Sequence, residues 1–145
     1  MTRIARNVFL AASLLLLTSV LLAGRSGAAE KPFPAHIDGA TNITADQVKA
    51  MVDQGKKILI VDSRVATEYK ESHIPGAINI PTKDMEAHRD KLPKGKNFPI
   101  VFYCNGPPCP KSYEACTKAV EWGYKQVYWL RGGLPEWKER RYATN

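Results

Sequence analysis

The stretch Phe98-Pro99-Ile100-Val101-Phe102-Tyr103-Cys104-Asn105-Gly106-Pro107-Pro108-Cys109 decides how this chain is read. Its first half, Phe98 to Tyr103, is a continuous apolar run of the kind that forms a buried strand. Cys104 to Cys109 is a short loop, and Ser112-Tyr113-Glu114-Ala115-Cys116-Thr117-Lys118-Ala119-Val120 reads as a helix. Cys104 therefore falls where a strand ends and a loop rolls into a helix N-terminus. Loop amides and the helix dipole both favour negative charge at such a point. The thiolate is the nucleophilic form of cysteine, so this placement predicts a reactive sulfur at Cys104.

Working outward, strands and helices alternate. Thr44 and Gln47 have the spacing of a capping box, ahead of a helix whose apolar stripe is Val48, Met51 and Val52 and whose end is Gly55. Ile58 to Val61 is an apolar run ending in Asp62 and reads as a central parallel strand. A helical stretch from Glu68 to Ser72, a turn at Ile74 to Ala77 and a short strand at Ile78 to Ile80 follow. Asp84 to Leu92 is polar and reads as helical, closed by Pro93, Lys94 and Gly95. Past the Ser112 helix, Gln126 to Leu130 makes another strand, Gly132-Gly133 breaks it, and Pro135 opens a last short helix. This alternation predicts an α/β fold: one domain, with a central, mostly parallel sheet flanked by helices on both faces. In such sheets ligands sit beyond the carboxyl ends of the strands, which is where Cys104 falls.

The chain has 145 residues, enough for one domain. Residues 1–29 have the layout of a secretory signal: Arg3 and Arg6, then an apolar run from Val8 to Ala23, then small residues that suit cleavage after Ala28 or Ala29. The expected organisation is thus a signal peptide at 1–29, a linker at 30–39 containing Pro32, Pro34 and Gly39, and the domain at 40–145. The run is short for a membrane span, so no stable membrane insertion is expected after cleavage; an uncleaved signal would leave a membrane anchor. Without Arg3, Arg6 and Arg25 the formal charge falls from +7 to +4. That excess is scattered, with no basic stripe interleaved with aromatics, so nucleic-acid binding is not expected. Export to the periplasm or medium brings three cysteines into an oxidising compartment, and their odd number leaves at least one unpaired within the chain.

Three segments in order resemble the rhodanese-like (sulfurtransferase) domain family. The first is Ile60-Val61-Asp62-Ser63-Arg64 with Glu68-Tyr69 and His73-Ile74-Pro75-Gly76-Ala77-Ile78-Asn79-Ile80-Pro81. The second is Val101-Phe102-Tyr103-Cys104. The third runs from Gly123-Tyr124 through Val127-Tyr128-Trp129-Leu130-Arg131-Gly132-Gly133-Leu134-Pro135-Glu136-Trp137. The resemblance spans Ile43 to Tyr142. It implies that Cys104 takes a sulfane sulfur from a donor such as thiosulfate, becomes a persulfide and passes the sulfur to a thiol or protein acceptor. Attack needs a thiolate, and the persulfide and departing anion need amide donors. The substrate-binding loop would be Asn105, Gly106, Cys109, Lys111 and Ser112, with Lys111 adding positive charge and Ser112 capping its helix. Asp62 and Arg64 would support the loops through hydrogen bonds. No cofactor is implied.

The chain departs from the family pattern in one place. Lys111 and Ser112 lie seven and eight positions after Cys104, so the loop is longer than usual, and Pro107, Pro108 and Pro110 have no N–H to donate. Longer loops in the superfamily are linked to phosphate or arsenate chemistry, but those carry an arginine for bidentate oxyanion binding, and this loop has none. Sulfur transfer is therefore the leading expectation. A second reading is thiol–disulfide exchange, with Cys104 and Cys109 paired across four intervening residues. A third is a non-catalytic binding module. Cys116 reads as a packing residue of its helix, and Trp122, Trp129 and Trp137 as cover for a sheet face. His36, His73 and His88 form no ligand set with the cysteines, so no metal is expected. The oligomeric state is not encoded in any of these patterns.

Overall fold

β4, Ile100–Tyr103, lies at the middle of a five-stranded sheet, and all four of its side chains are fully buried. A run of four apolar residues suits this place because both faces of a central parallel strand are covered. Ile100 and Phe102 point to one face, Val101 and Tyr103 to the other. The computed structural model describes residues 34–145. The signal reading of residues 1–29 lies outside the described residues. Among these, no helix is long and apolar enough to cross a membrane.

The remaining strands are β1 (Ala40–Asn42), β2 (Leu59–Asp62), β3 (Ile78–Asn79) and β5 (Val127–Leu130), and the order across the sheet is β1-β5-β4-β2-β3 with every pair parallel. The helices are α1 (Ala45–Asp53), α2 (Ala66–Glu71), α3 (Lys111–Glu121) and α4 (Gly133–Glu139). One layer of core joins Phe102, Val61 and Trp129 to Ala115, Cys116 and Ala119 of α3. The other joins Val101, Ile60 and Leu130 to Ala45 and Val48 of α1 and Leu134 and Trp137 of α4. The expected sheet with helices on both faces is what the chain forms. Chain order then places the site. β2 leads through α2 to β3 on one side, while β4 leads through α3 to β5 on the other. The strand order reverses between β2 and β4, and the crevice beyond their carboxyl ends is the natural ligand position.

Thr44 and Gln47 form the expected capping box on α1, and Gly55 follows the helix with φ of +66°. Three local expectations need correction. Val52 is 41% exposed; the inward stripe of α1 is Ala45 and Val48, with Met51 packed alongside. Asp84 to Leu92 is no α-helix but two 3₁₀ turns, Thr82–Asp84 and Arg89–Lys91. Only Met85 and Leu92 are buried there, too sparse a stripe to hold a regular helix against the sheet. β1 was not foreseen: Ala40–Asn42 carries one buried residue and is held through its backbone pairing with β5. Upstream of it, Ile37 is buried in the core, so the segment read as linker is already packed at that point.

Candidate active site

Cys104 follows β4 directly and is 1% exposed. Its backbone is fixed from behind, where the Leu134 amide donates to the Cys104 carbonyl at 2.9 Å. That approach depends on Gly133. With φ of +61° and a Cβ position that would collide with the Cys104 carbonyl and the Gly106 amide, no other residue fits. Gly106, at φ of +99°, turns the loop, and the Cys109 amide closes the turn onto the Gly106 carbonyl at 3.0 Å.

Around the two sulfurs the donors form a chain. Ser112 Oγ lies 3.0 Å from Cys104 Sγ, and the Trp129 indole donates to the same Oγ at 2.9 Å. An indole N–H can only donate, so it occupies a lone pair of Ser112 and leaves the hydroxyl proton for Cys104. The Cys104 thiol in turn faces the Cys109 carbonyl at 3.5 Å and the Cys109 thiol. Cys109, half-buried, also meets the backbone N–H groups of Asn105 and Lys111 and the Lys111 charge. All three cysteines are free thiols.

Cys104 and Cys109 act on each other's acidity, so the expected Cys104 thiolate competes with Cys109 for their proton. The Cys104 thiol donates to Cys109 and is buried, and both push it well above the ordinary thiol range, against the pull of the Ser112 hydroxyl and amide. Cys109 is lowered to about 6, first by that same Cys104 hydrogen bond and then by the Asn105 and Lys111 amides and the Lys111 ammonium, with burial opposing. The pair shares a proton, and the anionic end faces the loop amides. The expectation that Ser112 caps its helix is corrected. It is the second residue of α3, which Pro110 precedes without a side-chain cap, and its hydroxyl serves Cys104 and Trp129 instead.

The supporting residues lie across the crevice, after β2. Asp62 is fully buried and Arg64 nearly so; Arg64 Nη2 meets Asp62 Oδ2 at 2.6 Å and Nε meets Oδ1 at 3.0 Å. Burial opposes the Arg64 charge, yet Asp62 holds its pKa above the usual value. Tyr103 Oη donates to Asp62 at 2.7 Å, and Arg64 Nη2 reaches the Ser72 carbonyl at 2.7 Å. The pair ties the end of β2 to the segment before β3.

Two members of the site had no separate signal in the sequence. Glu68, on α2, accepts from the Asn105 amide group and lies 3.3 Å from Lys111 Nζ. Burial works against its charge, but Asn105 and Lys111 bring its carboxyl below the usual range. Glu68 thereby pins both ends of the loop, and Lys111 is partly neutralised. Trp129 is the other, since an indole under a sheet face reads as packing until its N–H partner is seen. Beside the loop a groove of about 310 Å³ is lined by Ser63, Thr82, Lys83, Lys111, Glu114 and Lys118, so three lysines and one carboxylate border it. Cys116 is fully buried in the core behind α3, apart from the pair. Among the described residues no three or more His, Cys, Asp or Glu gather in a metal-binding group.

Residues 44–140 match the family described as rhodanese-like domain. The chain belongs to that family. A sulfurtransferase from Allochromatium vinosum is 28% identical over 95 residues, covering 66% of this chain and 85% of the relative. A tRNA uridine(34) hydroxylase from Erwinia tasmaniensis is 33% identical over 125 residues, 79% of this chain but only 33% of that longer protein. Among solved structures, the BH2092 protein of Bacillus halodurans superposes with a TM-score of 0.66 at 30% identity, covering 72% of this chain and 76% of that one. The rhodanese-like assignment agrees with the α/β fold and its five-stranded parallel sheet.

Proposed function

We propose that this protein is a sulfurtransferase that moves sulfane sulfur from a small sulfur anion, such as thiosulfate, to a thiol or protein acceptor through a persulfide on Cys104. The observation that carries the reading is the hydroxyl–thiol–thiol chain Ser112–Cys104–Cys109 at the crevice between β2 and β4. It supplies a nucleophile, a base and a support for the ionised sulfur. An incoming anion displaces Cys109 from the Asn105 and Lys111 amides, and Cys109 takes the Cys104 proton. The Cys104 thiolate, held by the Ser112 hydroxyl and amide, attacks the outer sulfur of the donor. The donor's S–S bond breaks and sulfite leaves with the electron pair. The outer sulfur of the persulfide then lies against the vacated amides, which suit developing negative charge. An acceptor thiolate attacks that sulfur and returns Cys104 to its starting state. At the neighbouring groove Lys83 and Lys118, with Lys111 partly offset by Glu68, outnumber the Glu114 carboxylate and favour anionic donors. Through residues 1–29 the domain would work outside the cytoplasm.

The test is loading with thiosulfate after full reduction. Sulfite should appear, and in samples quenched by alkylation at the earliest times one extra sulfur should be found in the peptide carrying Cys104. Cys104→Ser should release none. Wild-type protein that releases no sulfite would refute the reading.

A further inference from the structure

The loop holds a second thiol where a sulfurtransferase needs only one. Cys109 is neither a packing residue nor a bystander: it is half-buried, its carbonyl lies 3.5 Å from Cys104 Sγ, and its thiol is drawn toward the Asn105 and Lys111 amides. We propose that Cys109 is the internal discharge partner of Cys104, closing a Cys104–Cys109 disulfide that expels the loaded sulfur as hydrosulfide. The inference rests on the persulfide reading above and adds a fate for the sulfur that requires no external acceptor in the first turnover.

The atoms balance. Cys109 Sγ attacks Cys104 Sγ, the inner sulfur of the persulfide. The Cys104 Sγ–outer sulfur bond breaks, and the outer sulfur departs with the electron pair. It carries the Cys109 proton away as HS⁻. The two cysteines are oxidised to a disulfide as the sulfane sulfur is reduced to sulfide. A further cycle requires an external dithiol to reopen the bond.

Three features favour attack on the inner sulfur. The Cys109 carbonyl lies 3.5 Å from Cys104 Sγ, and the loop between the two cysteines is short and contains two prolines, so displacement by a loaded sulfur keeps Cys109 close. Cys109 attacks as it gives up the proton it took from Cys104, and the nearby Lys111 ammonium favours its thiolate. Hydrosulfide is a weaker base than an alkyl thiolate and leaves readily. Burial of Cys104 at 1% exposure also hinders bulky acceptors from reaching the persulfide, while Cys109 is already inside.

The experiment uses the reduced full-length protein with thiosulfate and no added thiol, and measures sulfite, hydrosulfide and the disulfide in one sample. One hydrosulfide should appear for each sulfite, and non-reducing digestion should link Cys104 to Cys109. In Cys109→Ala the ratio of hydrosulfide to sulfite should fall roughly tenfold or more, whatever the extent of loading, with the persulfide persisting on Cys104. Sulfite release with a stable wild-type persulfide, or with the extra sulfur found on Cys109, would overturn the inference and leave the sulfurtransferase reading standing. No sulfite at all would remove both.

Discussion

Cys104 and Cys109 compete for a proton, and each thiol sets the other's acidity. Cys104 donates to Cys109, which lowers Cys109 and raises Cys104. Removing either partner must therefore shift the other toward the ordinary value. The rate of Cys109 alkylation should half-rise near pH 6 in the wild type, and in Cys104→Ala that midpoint should move upward. In Cys109→Ala the Cys104 midpoint should fall, because only burial and the carbonyl of residue 109 are left to oppose Ser112. Thiolate absorbance against pH reads both; midpoints that stay put in the variants would break the coupling. Ser112→Ala removes the hydroxyl that Cys104 and Trp129 share, leaving a buried indole N–H unpaired at a cost of about 1–3 kcal/mol. The same change should slow sulfite release, whereas a purely structural serine would change only the unfolding midpoint. At this scale Cys104 was legible because it ends an apolar strand. The division of the proton between two thiols was not, since it depends on which amides face which sulfur.

At the scale of elements, the loop from Asn105 to Pro110 is gripped from three sides: by the start of α4, by α2 and by α3. Gly133 is the closest grip, its left-handed backbone lying where a methyl group would strike the Cys104 carbonyl and the Gly106 amide. Gly133→Ala should cost about 1–3 kcal/mol in a urea titration and flatten the pH profile of Cys109, because the strain falls on the loop itself. Glu68→Gln should release Lys111 while keeping an acceptor for Asn105, so thiosulfate should load at least as fast; slower loading would mean that Glu68 takes part in binding. The strands with continuous apolar runs, β2, β4 and β5, are plain in the sequence because burial on both faces demands such runs. β1 is not, since a three-residue edge strand with one buried side chain leaves no periodic trace. The 3₁₀ turns between β3 and β4 are not distinguishable from one helix in the sequence, because polar composition is equally compatible with both.

For the whole molecule, the reversal of strand order between β2 and β4 places a buried ion pair opposite a reactive thiol pair. Asp62 and Arg64 hold that junction, and removing one partner strands a charge at the end of the central strands. Arg64→Ala should lower the unfolding free energy by about 3–5 kcal/mol, with the thiol titrations retained at temperatures where the variant remains folded. Loss of the Cys109 midpoint in a folded variant would instead make Arg64 part of the site. The parallel architecture followed from the alternation of elements, and the family from three motifs in order. Neither reveals that the cradle for the second sulfur is occupied by the chain's own cysteine. The most direct test of the account is therefore to locate the sulfur. After a brief exposure of reduced protein to thiosulfate and rapid alkylation, fragment-ion mass spectrometry should place the extra atom on Cys104 in the earliest quenched samples. An extra sulfur found first on Cys109, or on neither residue while sulfite accumulates, would contradict it.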